Sequence, residues 1–89
     1  MLEIVKLKDM VMQFEVHNGN ATIGLMAFGC KLHRPYKATL TYPIENANQD
    51  NIDMLCKSIN KVFPLGNLGK NRLKRLFKKA RIRMMQERV

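Results

Sequence analysis

Between Lys70 and Val89 the chain places nine basic residues, Lys70, Arg72, Lys74, Arg75, Lys78, Lys79, Arg81, Arg83 and Arg88, against the single acid Glu87, a net charge of +8. Residues 1–69 carry seven Lys/Arg and six Asp/Glu, net +1, so almost the whole excess of +9 belongs to the last twenty residues. Cations gathered in this way draw polyanions to one face of a molecule. The chemistry they offer is phosphate contact, not bond making.

A second group of the same kind lies in Lys31-Leu32-His33-Arg34-Pro35-Tyr36-Lys37. Lys31, Arg34 and Lys37 supply charge, and Tyr36 supplies a ring, the mixture used for phosphate contact and base stacking. Tyr36 also fits the alternation of the strand that follows, and a polar loop between strands is ordinary. Only 7% of the residues are aromatic and there is no Trp, so a stacking platform for splayed bases is not expected.

Residues that make or break bonds show no comparable pattern. His17 and His33 are sixteen positions apart without a third ligand at metal spacing, and Cys30 and Cys56 form neither a CxxC pair nor a disulfide framework. Asp50 and Asp53 are one helical turn apart, where acids suit the start of a helix. Leu65-Gly66-Asn67-Leu68-Gly69-Lys70 has glycines and a lysine but not the spacing of a phosphate-binding loop, and it follows a helical pattern instead of a strand. The expectation is a protein that is not an enzyme, with no cofactor, no metal and no small-molecule substrate.

These groups must be held by elements, and 89 residues allow one small core, read as a single domain. Strands come first, over 1–43. Leu2, Ile4 and Leu7 begin an apolar alternation that Met10, Met12, Phe14 and Val16 are expected to continue on the same parity, as one bent strand or as two joined near Lys8-Asp9. His17-Asn18-Gly19-Asn20 is a hairpin signal, because Asn-Gly tolerates positive φ at both positions. A partner strand follows over about 21–28, with Gly24 marking a bulge or a close crossing. Tyr36, Ala38, Leu40 and Tyr42 then alternate with polar residues up to Pro43.

Helices come second. Asn48 is the N-cap candidate for a helix over 48–63, with Ile52, Leu55, Cys56, Ile59, Val62 and Phe63 at helical spacing and Pro64 ending it. Leu65 to Gly69 reads as a connector. In the second helix, 70–86, Leu73, Leu76, Phe77, Ala80 and Met84 make one apolar stripe and the cations point elsewhere, interrupted by Ile82 and Met85. The expected fold is α+β, a three- to four-stranded antiparallel sheet of N-terminal hairpins packed on two antiparallel C-terminal helices.

The functional expectation is a nucleic-acid-binding protein whose basic second helix meets the phosphate backbone through Lys70, Arg72, Lys74, Arg75, Lys78, Lys79, Arg81 and Arg83, with Lys31, Arg34 and Lys37 as a second contact. Duplex DNA is favoured over RNA, since a rigid helix with regular cations suits groove and backbone contact. The alternative is a small interaction or inhibitor protein that docks the basic helix on an acidic surface of another protein, such as a nucleic-acid-handling enzyme. Ile82 and Met85 would then sit in the interface. With Glu3, Lys6, Lys8 and Asp9 interrupting its apolar N-terminus, the chain reads as lacking a signal peptide and a membrane span, and as cytoplasmic or nucleoid-associated.

Overall fold

The hairpins and helices expected from pattern are all present, and they form two layers. The computed structural model describes residues 1–28 and 36–87. Strands β1 (Leu2–Lys6), β2 (Met10–His17), β3 (Asn20–Ala27) and β4 (Tyr36–Pro43) form one antiparallel sheet in the order β1-β2-β3-β4. A short 3-10 turn (Ile44–Asn46) leads to α1 (Gln49–Asn60) and α2 (Gly66–Glu87).

Turn chemistry sets the register. Asn18 and Gly19 take φ of 52° and 77°, so His17 faces Asn20 across a two-residue turn. At the first hairpin the Leu7 N–H donates to the Met10 carbonyl at 2.9 Å, leaving only Lys8 and Asp9 in the turn. This corrects the parity read from sequence. Partners across a two-residue turn share a face, so odd positions of β1 lie beside even positions of β2, with Val5 facing Met12 and Ile4 facing Gln13. Val5 is buried, and Leu2 and Ile4 stand on the opposite face. Gly24 continues the ladder without a bulge, paired with Gln13 and Thr39.

Both helices cover the face that carries Val5, Met10, Met12, Phe14, Ala21, Ile23 and Leu25, all buried. Phe77 of α2 meets Phe14 edge-on at 5.0 Å and Tyr42 at 5.9 Å, an arrangement favoured by the ring quadrupoles. From α1, Ile52, Cys56 and Ile59 enter the same core. Burial raises the Cys56 thiol pKa, as expected of a small hydrophobe kept from water.

The helix ends differ from the expected ones. Asn48 caps α1 by accepting the Asn51 N–H at 2.8 Å, but α1 stops at Asn60 and Val62 is exposed. Phe63 still reaches the core, against Tyr36 at 5.2 Å. The expected connector is partly helix. Gly66, at φ 65°, turns the chain into α2, and its N–H donates to Asn60 Oδ1 at 3.1 Å. Gly69 lies inside α2, where a Cβ would come within 2.7 Å of Leu65 Cδ1 and 2.9 Å of Leu7 Cδ1, so its role is close packing.

Candidate functional site

The basic helix is 22 residues long, and once Leu73, Leu76, Phe77 and Ala80 are buried its remaining residues fall on three ridges. At about 100° per residue, Lys70, Lys74 and Arg81 lie toward α1, Arg75, Lys78, Ile82 and Met85 point away from the sheet, and Arg72, Lys79 and Arg83 lie toward β1. Two ridges are partly occupied, which periodicity could not show.

Toward α1, Asp53 Oδ1 lies 2.7 Å from Lys74 Nζ and 3.4 Å from Lys70 Nζ, an ion pair shared by two ammonium groups. The close approach of Lys74 is the main reason its carboxyl titrates below the ordinary range; burial opposes the shift, and the charges of Lys74 and Lys70 add to it. One carboxylate against two ammonium groups leaves a net positive charge there. Arg81 Nη1 donates to the Ala47 carbonyl at 3.1 Å, just ahead of α1. Asp53 therefore serves as an interhelical partner instead of a first-turn acid; Asp50 alone lies in the first turn of α1.

Toward β1, Lys79 Nζ lies 3.0 Å from Glu3 Oε1, an exposed pair. Such pairs are worth about 0.2–1 kcal/mol, little enough that a competing anion can replace the partner. Arg83 shares a surface depression with Met1 and Val16, which puts the start of β1 beneath the end of α2.

Arg72, Arg75, Lys78 and Arg83 are exposed, and none has an acidic partner among the described residues. Twelve residues of helix, from Arg72 to Arg83, carry them over about 17 Å. Lys31 and Arg34 lie outside the described residues. Lys37 is exposed on β4, on the sheet face away from the helices and beside Met26, so it is not continuous with the α2 cations.

Ile82 and Met85 remain 48% and 71% exposed. They border a groove of about 400 Å³ between the start of α1 and the second half of α2, together with Ile52, Phe77, Lys74, Lys78 and Arg81. Its lining is largely apolar with cations beside it, and no sequence signal marks it, because four of its ten lining residues come from 47–52, ahead of and within α1. No described helix is long and apolar enough to cross a membrane. Comparison with family models, curated proteins and solved structures finds no match for this chain.

Proposed function

We propose that the protein binds nucleic acid, preferentially duplex DNA, through the outward and β1-facing ridges of α2. The observation that supports this reading is the set of four exposed cations, Arg72, Arg75, Lys78 and Arg83, without acidic partners among the described residues, on a helix held rigid by its buried stripe. An α-helix fits the major groove, about 12 Å wide, and cations along its exposed side then reach phosphates of both flanking strands. Arg, whose donors form a rigid planar fork, is better matched than Lys to the paired acceptors of a guanine edge. The role is binding without catalysis.

Four phosphate contacts give a log–log salt slope of about −3.6, a loss of about 150-fold in affinity between 50 and 200 mM salt. Fluorescence anisotropy with a labelled duplex at four salt concentrations measures it. Arg75→Ala should flatten the slope by about one unit and weaken all sequences alike. A slope near zero would remove the proposal.

The groove beside Ile82 and Met85 favours a second reading, in which the basic helix docks on an acidic protein surface with an apolar centre, as a small interaction or inhibitor protein. Ile82→Ser with Met85→Ser separates the two. The pair should leave duplex affinity within about twofold if phosphates are the target, and should abolish binding if an apolar interface centre is required.

A further inference from the structure

The two edges of the sheet are built differently. Hydrogen-bonded pairs alternate with non-bonded ones along an antiparallel ladder. The Val16 N–H donates to the Met1 carbonyl and the Leu7 N–H to the Met10 carbonyl, both at 2.9 Å, so odd residues of β1 bond to β2. The N–H and C=O groups of Leu2, Ile4 and Lys6 therefore point outward. At the other edge the Ile44 N–H donates to the Gly19 carbonyl at 3.0 Å, so even residues of β4 bond inward and Lys37, Thr39, Thr41 and Pro43 face out. Of these, Lys37 and Pro43, a charge and a residue without an N–H, are guards against strand addition. β1 has such a guard only at its end, Lys6; along the rest of its free edge it places Leu2 and Ile4, 57% and 56% exposed, and nothing among the described residues covers it.

We propose that the free edge of β1 accepts an extended acidic peptide segment as a fifth strand. The ladder supplies the backbone partners. The two faces of the added strand meet different surroundings, because side chains alternate. On the open face, its apolar side chains lie against Leu2 and Ile4. On the helix face, they lie beneath the α2 ridge of Arg72, Lys79 and Arg83, whose course over β1 is fixed by the Lys79–Glu3 pair and by Arg83 beside Met1. Carboxylates at every second position fit that ridge, and the weak exposed pair of Lys79 with Glu3 can be shared with one of them. A second copy of the chain is a poorer occupant, since pairing β1 with β1 brings two such cation ridges together at +9 per chain.

The probe is a capped peptide in which four glutamates alternate with three valines, titrated into the nitrogen-15-labelled full chain and followed by amide exchange. The Leu2, Ile4 and Lys6 amides should slow by about tenfold or more, while Glu3 and Val5, already in the ladder, change little. Replacing the glutamates by lysine, or adding Leu2→Lys with Ile4→Lys to the protein, should remove the effect. Two results would overturn the proposal. One is peptide-induced change confined to α2 with no new protection in β1; the other is β1 protection that rises with protein concentration alone, which assigns the edge to a second copy. A labelled duplex run in parallel should shift α2 without protecting β1, so failure of nucleic-acid binding and failure of strand addition are read separately.

Discussion

The charges of α1 stabilise α1, whereas most of those on α2 do nothing comparable for α2. In α1, Asn48 caps the first turn, Asp50 sits at the positive end of the dipole and Lys57 near the negative end. Each charge opposes the dipole at its end and lowers the helix's own free energy by some tenths of a kcal/mol. α2 has no acid in its first turn, and its cations run along its length instead of collecting in the last turn. A helix held by Leu73, Phe77 and Ala80 does not need them there. Arg72, Arg75, Lys78 and Arg83 have no acidic partner among the described residues, and they are the charges that the proposed function uses.

The sharpest way to break this contrast is to test what holds α2 in place. Phe77 is buried between Phe14 and Tyr42, so Phe77→Ala should cost about 3–5 kcal/mol, comparable to the whole stability of a domain this small. Arg75→Ala, on the exposed side of the same helix, should change stability by less than about 0.5 kcal/mol. Urea melts decide it, and the reverse ranking would mean that the helix is held by its charges.

A smaller effect tests whether α1 depends on its own terminal chemistry. Asn48→Ala removes the acceptor for the Asn51 N–H and should cost about 1 kcal/mol, with the melting midpoint shifted and duplex affinity unchanged.

The finest test lies where the helices meet. Asp53 neutralises one of the two lysines beside it, on the ridge that the proposed duplex contact does not use, so Asp53→Asn should tighten duplex binding only through the added net charge and change the salt slope by less than about one unit. The same carboxyl gives a pH signature. Its proton is held more weakly folded than unfolded, so its stabilising contribution is fully present above the ordinary aspartate pKa of about 3.9 and is lost as pH falls through the lowered folded value. Melting midpoints between pH 6 and pH 2 should therefore fall less steeply for Asp53→Asn than for the unaltered chain. Parallel curves would show that the interhelical pair contributes nothing.

Much of the fold was legible because it is specified locally. Asn18-Gly19 permits one kind of turn, the run from Ile52 to Ile59 has helical spacing, and Asn48 stands one residue ahead of the helix that begins at Gln49. Where sequence pattern and structure differ, the deciding information is relational. Leu2 and Ile4 alternate as a core face would, and only the two-residue turn at Lys8-Asp9 assigns them to the other side. Gly69 reads as part of a loop, because one of the two approaches that require a glycine, that of Leu7 beside that of Leu65, comes from the turn after β1, far away in sequence.

The candidate site divides in the same way. Composition and periodicity by themselves determined that a cationic helix would present an arc opposite a buried stripe, since charge and helical period are properties of neighbouring residues. The tertiary structure decided which of those cations are already occupied. Asp53 reaches Lys70 and Lys74 from the other helix, Glu3 reaches Lys79 from the first strand, and the Ala47 carbonyl holds Arg81. Ion pairing depends on distances of a few ångströms between groups far apart along the chain, and only the packed arrangement of sheet and helices sets those distances.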